Sequence, residues 1–212
     1  MKLTKHEHAC VVLEKDGTSI VIDPGSFSPG AAEIIAGADA ILITHEHADH
    51  VNEAAISGAL AARPDLRLYA PAALGAMFAA HQDQFTAVAA GDELALAPFA
   101  ITVHGSQHAV IHPDIPVIPN VGYLIDDIYH PGDAYFVPEV PVPLLLLPTS
   151  GPWMKIGEAA DYVRAVRPQQ ILQIHEMLLS DIGLFLASSL LGEQGLTGLP
   201  LTTVPTGESL TV

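Results

Sequence analysis

Cysteine and positive charge are both scarce in this chain. A single cysteine, Cys10, stands in 212 residues, so no disulfide can form within the chain and a reducing, cytoplasmic setting is expected. Only 8 Lys and Arg oppose 24 Asp and Glu, for a formal net charge of −16. So acidic a surface repels phosphate backbones and anionic lipid, which excludes nucleic acid and membrane surfaces as expected partners. No window reaches the ~20 apolar residues of a membrane span, and the opening MKLTKHEHACVVLEKDG holds no apolar run long enough for a signal peptide. Charged residues are 15% of the chain and apolar residues 50%, a composition that excludes general disorder and suits one well-buried domain over residues 1–212.

Strand-like and helix-like segments alternate without a break in composition. Ala9 to Leu13 and Ser19 to Asp23 flank Lys15-Asp16-Gly17 and read as a hairpin. A short buried strand at Ile41 to Thr44 is followed by a polar loop and a helix from Val51 to Ala62. A strand at Leu66 to Tyr69 leads to a helix over Pro71 to Ala80, with proline at its first position. Further strands are expected at Glu93 to Ala97, Ile101 to His104, Val121 to Ile125, Leu144 to Leu147 and Gln170 to His175, with two closing ones near Leu201 to Val204 and Ser209 to Val212. Helices are expected at Ile156 to Val166 and Asp181 to Leu191, the latter capped by Ser180. The grammar is that of two sheets packed together with helices outside. The last helix is apolar around most of its circumference through Ile182, Leu184, Phe185, Leu186, Leu190 and Leu191. It needs cover on more than one side, and a homo-oligomer is one way to provide it.

Chemistry concentrates in His45-Glu46-His47-Ala48-Asp49-His50, three histidines and an aspartate in six residues directly after a buried strand. Imidazole and carboxylate are the donors that borderline divalent metals prefer. His45 and His47, two apart at a strand end, can point the same way, while Asp49 and His50 can turn toward a second site. A chance match to these four positions is on the order of a few per thousand, so a metal site outweighs a merely solvated loop.

The hexapeptide resembles the signature of the metallo-β-lactamase superfamily. Other landmarks follow in that family's order: Asp23 in Val21-Ile22-Asp23-Pro24, His108 in Ser106-Gln107-His108, Asp133 in His130-Pro131-Gly132-Asp133, and His175 in Gln173-Ile174-His175. With the His8-Ala9 start and the phrase Tyr129 to Asp133, the chain is most similar to the compact lactonase-like branch. Nothing around His108 reads as the Gly-His-Thr extension of the thioesterase and glyoxalase branches. The resemblance implies an αβ/βα four-layer sandwich of two mixed β-sheets with outer helices. It also implies two divalent metal ions, zinc first and manganese or iron as alternatives. His45, His47 and His108 would hold one ion, Asp49, His50 and His175 the other, and Asp133 would bridge them. The reaction implied is hydrolysis by metal-activated hydroxide, with Asp49 as proton acceptor.

Asp23 reads as a residue that orients the ligand loop, because seven ligands already complete two sites. His8 and His130 read first as histidines bonded to backbone, with a role around the metals or substrate as the alternative. Lys155 is the one basic residue placed in a loop that would overhang the site, and Trp153 with Tyr123 would wall an apolar pocket or pack in the core. With so little basic character, the expected substrate is a small neutral or weakly anionic ester or lactone. A phosphodiesterase or nuclease, and a non-enzymatic metal-binding protein, are the competing readings.

Overall fold

The computed structural model describes residues 1–212. Fourteen strands and four α-helices follow in the order β1 (Lys2–Lys5), β2 (Val11–Lys15), β3 (Thr18–Ile22), α1 (Ala31–Ala36), β4 (Ala40–Leu42), α2 (Glu53–Ala62), β5 (Arg67–Pro71), β6 (Phe85–Val88), β7 (Glu93–Leu96), β8 (Phe99–His104), β9 (Gly122–Ile125), β10 (Ile128–His130), β11 (Leu144–Pro148), α3 (Ile156–Val166), β12 (Gln170–Ile174), α4 (Asp181–Leu191), β13 (Leu201–Thr202) and β14 (Ser209–Thr211).

They build two seven-stranded sheets, β14-β1-β2-β3-β4-β5-β6 and β13-β12-β11-β10-β9-β8-β7. Each sheet is half antiparallel and half parallel. In the first, β14 to β3 pair antiparallel and β3 to β6 parallel. In the second, β7 to β10 pair antiparallel and β10 to β13 parallel. The parallel strands read as unbroken apolar runs, Ala40–Leu42 and Leu144–Leu147, because both of their faces are covered. A 19-residue cluster that includes Leu13, Ile22, Leu42, Tyr123, Leu146 and Ile174 fills the space between the sheets. Two outer clusters seat the helices, one around Ile41, Ile56 and Leu60, the other around Leu145, Leu147, Tyr162 and Val163. The layers are therefore helix, sheet, sheet, helix. No helix is long and apolar enough to cross a membrane.

Local chemistry sets the helix ends. The Asn52 side chain accepts the Ala55 N–H to cap α2, and the Ser180 hydroxyl accepts from Gly183 at the start of α4. The helix expected over Pro71 to Ala80 does not form. Pro71 closes β5, and only single 3₁₀ turns at Ala72–Gly75 and Ala79–His81 follow. Gly75 interrupts the run, and Leu74 and Phe78 are buried in the first outer cluster, so packing rather than helical propensity shapes the segment. Tyr123 is no pocket wall: it is fully buried between the sheets, where its hydroxyl donates to the Ile43 carbonyl at 2.9 Å. Helix α4 buries only Ala187 and Leu191 and leaves Ile182, Phe185, Leu186 and Leu190 exposed, less cover than its composition led one to expect.

Candidate metal centre

The histidine and aspartate residues singled out in the sequence sit where strands of both sheets end. His45, His47, Asp49 and His50 follow β4, His108 follows β8, Asp133 follows β10, and His175 follows β12. This is the carboxyl edge of the parallel strands, the usual place for a site in an open α/β sheet. His45, His50, His108, Asp133 and His175 are buried, and His47 and Asp49 are half-buried.

Two groups of donor atoms converge, each within 4.8 Å: His45, His47, His108 and Asp133 in one, His8, Asp49, His50 and His175 in the other. His45 Nε2 lies 3.1 Å from His47 Nδ1, and His50 Nε2 lies 3.2 Å from His175 Nε2. The first contact presents His45 Nε2 as an acceptor. Thr44 Oγ1 donates to Asp23 Oδ2 at 2.7 Å, so it accepts from His45 Nδ1–H at 3.0 Å and leaves His45 Nε2 bare. His50 Nδ1 donates to Asp23 Oδ2 at 2.7 Å, and His108 Nδ1 donates to the Ala109 carbonyl at 2.6 Å, which turns both Nε2 atoms inward. Rings held by one nitrogen and offering the other are the arrangement of metal ligands with their supporting shell.

Asp133 faces both groups. Its Oδ1 is 3.1 Å from His50 Nε2 and 3.1 Å from His175 Nε2, while its Oδ2 is 3.5 Å from His108 Nε2 and accepts Trp153 Nε1–H at 2.7 Å. Asp133 Oδ1 and His108 Nε2 are buried without a hydrogen-bond partner. Buried polar atoms left bare are costly, and a divalent cation in each group satisfies them, so the residues fit two metal ions.

Charge in the metal-free site agrees with this. Burial alone would suppress ionisation of His50, yet Asp133 and Asp23 outweigh it and raise its pKa well above the ordinary value. The proton on His50 stands in for a cation. Burial also opposes ionisation of Asp49, but the hydrogen bond from His8 and the His50 charge prevail and bring its pKa to about 2. Asp133 is driven well below the usual carboxylate range against its burial, chiefly by His50.

The remaining sequence candidates fall into two sets. Asp23, in left-handed backbone at φ 49°, accepts from the Thr44 N–H at 2.8 Å as well as from Thr44 Oγ1 and His50, so it braces the ligand loop. Trp153 belongs to the site through Asp133. His130 is buried beneath it and donates to the Ala9 carbonyl at 2.9 Å. Lys155 is not brought to the ligands: its exposed amine pairs with Glu158 at 3.3 Å along α3.

His8 stands closer to the donor groups than a backbone-bonded histidine would. It is fully buried, its Nε2 lies 3.0 Å from Asp49 Oδ2, and its ring packs on His175 with centroids 3.6 Å apart. Both rings sit on left-handed backbone at φ 60°, and the His175 N–H donates to the His8 carbonyl at 2.9 Å. Such strain persists only where surroundings hold it. His8→Ala is expected to weaken binding of the cation nearest Asp49 about 10- to 100-fold, with His8→Gln restoring part of the loss through its amide N–H. Competition with a chromophoric chelator reads the affinity. Wild-type affinity in the alanine variant would contradict the hydrogen-bonding role.

A pH prediction follows from the same burial. His6, His8, His45, His47, His104 and His130 all have pKa values lowered from 6.5, mainly by desolvation, and His50 alone is raised. A lowered histidine contributes stability above its unfolded value and loses it as pH falls toward its folded value; His50 acts in the opposite sense. Six against one, the Tm of the metal-free protein should drop between about pH 7 and pH 5. A flat or rising Tm by scanning calorimetry would contradict this.

Comparison with known proteins gives the family and the fold. Residues 2–175 match the family model described as a beta-lactamase superfamily domain. The chain belongs to the metallo-β-lactamase superfamily. Family, fold and donor set together make it a metal-dependent hydrolase. Protein Rv0786c of Mycobacterium tuberculosis is 43% identical over 186 residues, covering 85% of this chain and 86% of its own. A UPF0173 metal-dependent hydrolase of Myxococcus xanthus is 29% identical over 196 residues, 79% of this chain and 67% of its own. Among solved structures, Igni18, a metallo hydrolase of Ignicoccus hospitalis, superposes with a TM-score of 0.75 at 22% identity over 99% of this chain and 97% of its own.

Proposed function

We propose that this superfamily member hydrolyses a small, uncharged ester or lactone with two divalent cations, zinc by preference. The observation that carries the reading is the double donor cluster with no lysine or arginine paired to it. The chain's cations are engaged elsewhere: Lys2 with Glu14 at 2.7 Å, Lys5 with Glu176, Lys15 with Asp126 at 2.8 Å, and Lys155 and Arg164 with carboxylates on their own helix. Arg63 and Arg67 bond backbone carbonyls near Ala38 and Pro64, and Arg167 ends α3. Phosphate recognition normally recruits such groups, so a neutral electrophile fits this site better than a phosphodiester.

When bound, the cations supply Lewis acidity and make water acidic enough to ionise near neutral pH. The protein's own groups do the rest. Asp49, ionised far below neutrality and 23% exposed, presents an acceptor that orients a water and its proton. A carboxylate of pKa about 2 hands a proton on rather than keeping it. His8 holds one of its oxygens. Asp133 keeps the two donor groups in register, and Trp153 fixes the rotamer of Asp133.

The test is turnover by protein loaded with zinc or manganese. Hydrolysis of p-nitrophenyl acetate and γ-butyrolactone without hydrolysis of bis-p-nitrophenyl phosphate supports the proposal. The reverse preference would establish the phosphodiesterase reading, and inertness toward all three at full metal content would establish a binding protein.

A further inference from the structure

The two donor groups are supported in different ways. His45, His50 and His108 each have one ring nitrogen engaged, by Thr44 Oγ1, Asp23 Oδ2 and the Ala109 carbonyl, so a hydrogen bond aims the other. His8 and His175 lack that brace, because the Nδ1 atom of each is buried without a hydrogen-bond partner. Their aim rests on the backbone and on packing of one ring against the other. Both stand in left-handed conformation at φ 60°, and one bond, from the His175 N–H to the His8 carbonyl at 2.9 Å, joins their turns. The Ser150 hydroxyl holds the His175 carbonyl, but Ser150 and His175 both follow strands of the second sheet. A single bond between the sheets fixes a distance and leaves the two turns free to swivel about it.

A second tie lies beside the first. Lys5 ends β1 in the first sheet and is 2% exposed, the only lysine or arginine among the buried residues. Its ammonium donates to the His6 carbonyl at 2.9 Å and to Oε1 of Glu176, the residue that follows His175 after β12 of the second sheet. His6 opens the turn that presents His8. That turn is closed by the His6 N–H on the Cys10 carbonyl at 2.9 Å and the Cys10 N–H on the Glu7 carbonyl at 3.1 Å. Taking an ammonium out of water is costly, and apolar side chains of similar volume often hold a fold as well as a buried ion pair does. Stability therefore accounts for Lys5 less well than the geometry it imposes.

Resting on the two-cation part of the proposed function and on no particular substrate, we infer that Lys5 and Glu176 are positioning residues for the donor group of His8, Asp49, His50 and His175. The ion pair clamps the His8 turn to the His175 turn, so a cation seated in that group depends on a lysine that does not touch it. No hydrogen bond runs from the pair to His45, His47 or His108. The effect is therefore confined to one of the two groups.

Cobalt(II) uptake, read by competition with a chelator, tests this without requiring turnover. His47→Ala leaves the Asp49 group whole, and Asp49→Ala leaves the His45 group whole, so each variant offers one complete site. Lys5→Met together with Glu176→Gln, introduced into both, removes the two charges and keeps similar side-chain lengths. Cobalt affinity should fall about 10- to 100-fold in the His47→Ala background and by no more than about threefold in the Asp49→Ala background. The visible absorption of bound cobalt, which follows ligand geometry, should change in the first and stay as it was in the second. Metal-free Tm within about 4 °C of the parent is expected, since no charge is left buried alone. Should the pair of changes prevent folding, Glu176→Gln alone supplies the same comparison at about tenfold. A general loosening weakens both sites alike, so equal losses in the two backgrounds, or no loss in either, would overturn the inference. Failure of the unaltered protein to take up two ions would instead defeat the two-cation reading, and the inference with it.

Discussion

Asp133→Asn is expected to lower ester hydrolysis by about a thousandfold or more and to reduce the metal content from two ions per chain to less than one. The estimate comes from losing the several kcal/mol that metal ions contribute to a hydrolytic transition state, at 1.36 kcal/mol per tenfold. Asp133 is the carboxylate that faces both donor groups, through Oδ1 toward His50 and His175 and through Oδ2 toward His108. An amide keeps the shape and the bond from Trp153 but places no negative charge between the cations. The metal-free fold should be weakened. In the metal-free protein Asp133 is a buried charge paired mainly with His50, and removing one partner of a buried pair costs about 3–5 kcal/mol. Elemental analysis, turnover and a metal-free melting curve check the three parts. Two ions retained with activity within tenfold of wild type would contradict the bridging role.

Gly25→Ala should be the most damaging single change outside the ligands. A Cβ at this position would lie 1.8 Å from the Asp49 carbonyl oxygen, 2.1 Å from its carbon and 2.6 Å from the His50 nitrogen. These are backbone atoms, so no rotamer change relieves the contact, and one of two fastened segments must move. Ser26 N–H donates to the Ala48 carbonyl at 2.7 Å and Asn52 N–H to Pro24 at 3.2 Å, which ties the Asp23–Ser28 turn to the ligand loop. A cost of about 3 kcal/mol or more corresponds to a fall in Tm of about 6–12 °C for a chain of this size. Because the displaced residues are Asp49 and His50, affinity for the cation nearest Asp49 should fall further than for the other. A Tm within about 2 °C of wild type and unaltered metal affinities would contradict the close approach.

The sequence made the ligand clusters legible because metal chemistry accepts few side chains and demands close spacing. His45 to His50 reads as a site before any fold is known. Its distant partners emerged only through the order of the family landmarks, and His108 has little local signal of its own. Longer elements with caps or strong apolar periodicity, such as α3 and α4, were equally plain. Short ones were not: α1 has six residues and no side-chain cap, and β1, β6 and β10 are three or four residues each, too brief for a pattern to repeat. His8 read first as a backbone-bonded histidine, with a role at the site as the alternative, because the contact that decides it lies 41 positions away. Gly25 gave no sign either, since its need for a missing side chain comes from Asp49 across the turn.

The candidate ligands come from both halves of the sandwich: His45 to His50 extend from the first sheet, and His108, Asp133 and His175 from the second. A pair of ions held there would act as a rivet through the molecule. At a free concentration a thousandfold above Kd, each ion would hold the folded state by about 4 kcal/mol, comparable to the whole margin of many domains. Withholding metal would then do more than silence the enzyme: the two sheets would part more often and the opened chain would be more readily cleaved.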